Sequence, residues 1–172
     1  MSVELRVLIT AGGAGVGRVV AARFHTAGAR VVVCDIDAPG VAALAAECPG
    51  LHAVVIDAGD ESSVESVFEV LREKLGGIDV LVNNVGIAGP TGPAESITLE
   101  QWNESLRVNL TSHFLFARAA IPLMKAQGNG LIVNISSGSA KVGLPLRLPY
   151  VVTKGAVLSL TTNLARALGP FG

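Results

Sequence analysis

A chain of 172 residues is long enough for one domain with a real core, and half of it is apolar although only 4% is aromatic. Its net charge is -1 and no basic block occurs, so the positive footprint that nucleic-acid binding requires is missing. Mean hydropathy is +0.54, yet no run of about 18 uncharged apolar residues exists to span a membrane. The most apolar stretch, Val108 to Met124, is broken by Asn109, His113 and Arg118. Met1–Arg6 leads straight into a strand-like run, without the apolar core or cleavage site of a secretory leader. Cys34 and Cys48 fit neither CxxC chemistry nor a metal-ligand spacing, and read as reduced core thiols. The expectation is a soluble, cytoplasmic protein with no metal site and no membrane or nucleic-acid partner.

In chain order, short runs of Val, Ile and Leu alternate with helical patterns. Strands are predicted over Arg6–Thr10, Arg30–Asp35, His52–Asp57, Val80–Asn83 and Leu131–Ser136. Their near-continuous apolar character is that of strands buried on both faces. Helices are predicted over Gly15–Ala27, Ala38–Glu47 and Glu61–Leu75, the first stopped by Gly28 and the last by Gly76-Gly77. Thr98 and Gln101 form a capping-box pattern that opens a helix running to about Arg107. A separate long helix follows from Asn109 to about Gln127, and a last one from about Tyr150 to Leu168. Such alternation predicts an α/β fold, a Rossmann-type doubly wound parallel sheet in three α/β/α layers, in a single domain over residues 1–172.

The first strand runs into Thr10-Ala11-Gly12-Gly13-Ala14-Gly15-Val16-Gly17, and a helix follows at once. Phosphates approach a helix N-terminus only where the turn carries no bulky side chains, and exposed amides with the helix dipole then bind the anion. The same string also serves as a tight strand–helix turn with no ligand. Asp35 closes the second strand, where a carboxylate accepts from a ribose 2′-hydroxyl and repels a 2′-phosphate. A helix-capping or solvated loop carboxylate is the alternative there. Further on, Tyr150 is the only tyrosine, and Lys154 lies four residues later, on the same face of a helix. A free phenol ionises near pH ~10. A neighbouring ammonium favours the phenolate, which suits a group that trades protons near neutrality.

These stretches together resemble the short-chain dehydrogenases/reductases of the classical type. The glycine turn is similar to that family's T-G-x-x-x-G-[IV]-G, with Thr10, Gly15, Val16 and Gly17 matching and Ala11 in place of the first glycine. Ala14 stands where NADP-binding members often carry a basic residue, so NAD is expected rather than NADP. Asp57 ends the third strand as in the family's adenine-contacting turn, and Asn83-Asn84-Val85-Gly86 resembles its N-N-A-G. For Asn83 and Asn84 a structural role and a direct contact both remain open. Ser137 precedes Tyr150 by 13 residues, the family's serine–tyrosine spacing, and Asn109 matches the family's helix asparagine.

The resemblance implies that Tyr150 is the general acid/base and that Ser137 binds the substrate oxygen. Lys154 would act on the tyrosine and the cofactor ribose, and Asn109 would support a water relay to it. Thr10, Gly12, Gly15, Val16, Gly17, Asp35, Asp57, Asn83 and Gly86 would line the cofactor site with Tyr150 and Lys154. The expected activity is interconversion of a secondary alcohol and a ketone by hydride transfer. Leu144, Leu146, Leu148 and Val142 suggest a partly apolar substrate. Members of the family continue past the point matching Gly172 into further strands and a substrate-covering segment, so the fold is expected to lack those last strands. An alternative is therefore a short, non-catalytic NAD-binding module. Self-association through the 109–127 and 150–168 helices is expected for either.

Overall fold

The computed structural model describes residues 4–172; Met1, Ser2 and Val3, the start of the segment for which no secretory leader is expected, lie outside the described residues. Five strands, β1 (Arg6–Thr10), β2 (Arg30–Asp35), β3 (His52–Val55), β4 (Val80–Asn83) and β5 (Leu131–Asn134), form one parallel sheet in the order β3-β2-β1-β4-β5. Helices α1 (Gly15–Thr26), α2 (Ala38–Glu47), α3 (Glu61–Leu75), α4 (Leu99–Leu106), α5 (Ser112–Gln127), α6 (Ser139–Val142) and α7 (Leu148–Leu168) complete the doubly wound arrangement. Among the described residues no helix is long and apolar enough to cross a membrane.

The two-residue period of a strand sorts the core into two layers. Val7, Ile9, Val31, Val33, Val80 and Val82 pack against α1 and α2 on one face. Leu8, Val32, Cys34 and Leu81 point to the other, where α3 and α5 supply Val64, Phe68, Leu71, Leu115 and Phe116. Phe68 and Phe116 meet there with ring centroids 6.1 Å apart. Burial pushes the Cys34 thiol well above its ordinary range, and the charge of Asp35 adds to this. It behaves as a core residue.

Two strands depart from the expectation of burial on both faces. β3 and β5 are the sheet edges, and Val55 and Leu131 are each 54% exposed. Both also stop two residues early. Each makes one last ladder bond, Ile56 N–H to Asp35 and Ile135 N–H to Asn83, both 2.9 Å, before the chain turns out of the sheet. The expected break between two helices near Val108 is absent as well. α4 passes through a wide π turn over Arg107–Thr111 directly into α5, and no Gly or Pro in that stretch stops it. The Thr98–Gln101 capping box opens this continuous helix as expected.

His113, on α5, is fully buried beneath the ends of β4 and β5. Its Nε2 lies 3.0 Å from the carbonyl oxygen of Val85. Burial holds its pKa down to about 4, and the Lys154 charge adds to this. The unfolded chain therefore binds a proton below about pH 6.5 that the native protein refuses until about pH 4. Stability is expected to fall as pH drops through that window, by up to about 3 kcal/mol from this residue. Proton NMR of the His113 ring should give a midpoint near 4. Titration at the ordinary histidine value, with no matching loss of stability relative to His113→Gln, would contradict it.

Candidate active site

The strand order reverses between β1 and β4, and the carboxyl ends of the strands there open the crevice in which such sheets bind ligands. Thr10 is fully buried at that point. Its hydroxyl accepts from Asn84 N–H at 2.9 Å and Val85 N–H at 3.3 Å and donates to the Val82 carbonyl at 3.4 Å. It thus holds the end of β4 against the end of β1 from beneath. Asn84 continues the link, its Nδ2 donating to the Ala11 carbonyl at 3.1 Å. Asn83 instead points down into the core, its Nδ2 donating to His113 O and Asn134 Oδ1.

The glycine turn is built to narrow tolerances. A Cβ on Gly17 would lie 2.1 Å from the Ala11 carbonyl oxygen, and one on Gly12 would lie 2.8 Å from Val33. Only glycine lets α1 start this close to the strand. Gly15, by contrast, faces open space at φ +52°. Ala14 precedes α1 without any side-chain cap, so the first-turn amides are left for an outside acceptor. Asp35 closes the turn from β2, accepting from Gly13 N–H at 2.8 Å and Asp37 N–H at 3.1 Å. Arg18 donates to the Gly13 and Gly40 carbonyls and pairs with Glu47 at 2.6 Å. Gly12, Gly15, Val16, Gly17 and Asp35 thus surround one place, and the open amides with a fixed carboxylate beyond them fit a dinucleotide. Asp57 stands farther along the same edge, where Arg107 donates to it at 2.9 Å and also grips Glu104. Sequence reading missed this pair, because 50 residues separate its members.

Beyond the turn, a cleft of about 490 Å³ is lined by Gly86, Ile87, Ser137, Ser139, Leu144, Arg147, Tyr150 and Lys154 together with Asn84, Ala88, Ile135 and Ser136. The serine, tyrosine and lysine singled out from sequence are therefore brought together. Lys154 is only 4% exposed, and its ammonium donates to the Ile135 carbonyl at 2.9 Å. Burial lowers its pKa from the ordinary lysine value. A Cβ on Gly86 would come within 3.1 Å of that nitrogen. Asn109, fully buried in the π turn, accepts from Ile87 N–H at 2.7 Å and donates to Ile87 O at 3.0 Å and Thr153 Oγ1 at 3.1 Å. It ties the loop after β4 to α7. Ser137 Oγ lies 2.8 Å from Ser139 Oγ, a neighbour that spacing alone gave no reason to include. Ser136, on the other side, donates to the Lys154 carbonyl at 2.7 Å. Among the described residues no cluster of three or more His, Cys, Asp or Glu side chains converges as a metal site would require.

Ala11 carries the one backbone irregularity in the turn, at φ +51°, the left-handed region that costs an L-residue about 1–2 kcal/mol. Gly there removes the strain but loosens the unfolded chain, by about 0.4–1 kcal/mol. Ala11→Gly should therefore raise stability by about 0.5–1 kcal/mol, read from urea unfolding. A destabilised variant would show that the methyl group is packed rather than strained.

Comparison with known proteins bears on the family and the fold. The family model described as short chain dehydrogenase matches residues 6–172. A short chain dehydrogenase/reductase of Colletotrichum higginsianum is 36% identical over 171 residues, covering 96% of this chain and 64% of its own length. D-threitol dehydrogenase of Mycolicibacterium smegmatis is 34% identical over 169 residues, covering 96% and 65%. The chain thus spans just under two thirds of the length of these relatives. The crystal structure of 3-ketoacyl-(acyl-carrier-protein) reductase from Brucella melitensis complexed with NADH superposes with a TM-score of 0.95 at 36% identity, covering 99% of this chain and 73% of that one. By sequence and by fold, the chain belongs to the short-chain dehydrogenase family.

Proposed function

We propose that this protein is an NAD-dependent oxidoreductase that interconverts a secondary alcohol and a ketone. The observation that carries the reading is the shared cleft of Ser137, Tyr150 and Lys154, opening beside a glycine turn whose amides are free. NAD, when bound, supplies the site that takes up or returns hydride. Tyr150 exchanges the proton of the reacting oxygen, and Ser137 donates a hydrogen bond to that oxygen. Lys154, desolvated and fixed by Ile135, places a positive charge in the cleft that Tyr150 also lines. Asn109 keeps the loop at Ile87 and the start of α7 in register, which preserves the spacing on which proton transfer depends.

NAD is preferred over NADP on electrostatic grounds. Asp35 is held in place by two backbone N–H groups, so a 2′-phosphate would meet a fixed negative charge. The nearby Arg18 cannot offset it, since Glu47 already neutralises it. The outward faces of α5 and α7 expose Phe114, Val152 and Leu158, which suits self-association of two copies through these helices.

Tyr150→Phe is expected to reduce turnover by about 10²–10⁴-fold, while binding of NADH, followed by its fluorescence, persists. Undiminished turnover in that variant would refute the assignment. For the cofactor, kcat/KM with NAD should exceed that with NADP at least about tenfold, and Asp35→Ala should narrow the gap. Equal use of both by the unaltered protein would overturn the preference.

A further inference from the structure

The cleft has a charge balance that alcohol–ketone chemistry alone does not require. Its lining includes two cationic side chains, Lys154 and Arg147, and no carboxylate. Lys154 is committed to the Ile135 carbonyl. Arg147 is not committed in the same way. It is half-buried at the start of α7, forms no ion pair among the described residues, and has one recorded side-chain hydrogen bond, to Thr91 Oγ1 at 2.5 Å. A guanidinium has five N–H donors, so most of its fork is left for a planar oxyanion.

Position and rigidity support the same conclusion. The Arg147 guanidinium carbon lies 6.0 Å from the centre of the Tyr150 ring, so one short molecule can reach both groups. Its location is fixed by strain and by a cross-link. Leu146 sits at φ +64°, a conformation costly for a branched side chain. The Leu146 carbonyl accepts from Gly92 N–H at 2.9 Å, while the Arg147 side chain reaches Thr91 next door. The positive end of the 21-residue α7, whose first turn carries no acidic residue, adds to the field. Alongside lie Leu144 and Ile87, an apolar wall suited to a short carbon chain.

We propose that Arg147 receives the carboxylate of the substrate, so that the preferred substrates are short hydroxy acids and the corresponding keto acids. This rests on the oxidoreductase reading above and adds no chemical step to it. The carbinol hydrogen leaves as hydride to NAD, the hydroxyl proton passes to Tyr150, and the carboxylate is unchanged. Arg147 selects among substrates by a bidentate, charge-assisted contact that a neutral analogue cannot make.

The test uses the protein with saturating NADH and a panel of short keto acids, each beside its methyl ester. The acid should exceed its ester in kcat/KM by at least about tenfold, chiefly through KM. In Arg147→Gln that ratio should collapse to about one, and Arg147→Lys should recover part of it, because charge without the fork retains part of the attraction. A loss that merely reflected the broken link to Thr91 would lower acid and ester together and leave the ratio unchanged, which would overturn the proposal. Equal kcat/KM for acid and ester in the unaltered protein would overturn it too. Equilibrium dialysis of the keto acids against the NADH-bound protein separates this result from a failure of the oxidoreductase reading. Arg147-dependent binding without turnover of any compound supports the anion site while contradicting the activity. Absence of both turnover and Arg147-dependent binding removes the two together.

Discussion

An ammonium group is held where β4 and β5 run out of the sheet, 4% exposed, touching the carbonyl of Ile135 and, among the described residues, forming no salt bridge. Removing such a charge from water without an ionic partner is expensive, and much of the surrounding structure follows from accommodating it. A side chain at Gly86 would press on the Lys154 nitrogen, 3.1 Å from where its Cβ would lie. Ser136 clamps the Lys154 backbone. His113, one layer below, is kept neutral by burial and by that same charge. A fold selected for stability alone would have put an apolar residue at this position, and the proposed proton-transfer role of the cleft is what accounts for the cost.

The sheet makes the arrangement rigid. Val, Ile and Leu on alternate faces of the three central strands give two dry layers, and every strand ends on the same edge because all are parallel. At that edge the side chains stop packing and start bonding to backbone. Thr10, Asn84, Asp35 and Asn109 each spend their polar groups on main-chain atoms of a neighbouring loop. The loops after β1, β2 and β4 and the π turn consequently behave as one tied unit, which is what a site for a dinucleotide and a small substrate requires.

Much of this was legible in the sequence, for identifiable reasons. Strands β1, β2 and β4 are short β-branched runs bounded by glycine, asparagine or aspartate, and their limits were predicted exactly as they occur. The edge strands were overextended, because apolar composition does not reveal where a pairing partner ends. The unbroken α4–α5 helix was read as two, since a π turn inserts a residue without any breaker residue to mark it. At the site, Tyr150 and Lys154 were legible as a same-face helical pair, and Ser137 through the family resemblance that its 13-residue spacing to Tyr150 carries. Arg107 with Asp57, the Ser137–Ser139 contact and the free fork of Arg147 depend on tertiary folding. Periodicity and spacing carry no trace of them.

If the buried ammonium is retained for chemistry and not for stability, the two properties should separate in Lys154→Met, which keeps the length of the side chain and removes its charge. Urea unfolding and NAD(H)-linked turnover measured on the same preparation decide the matter. The expected outcome is a midpoint equal to or above that of the unaltered protein, with turnover lowered by about 100-fold or more. A variant that loses stability but continues to turn over substrate would contradict the central role given to Lys154.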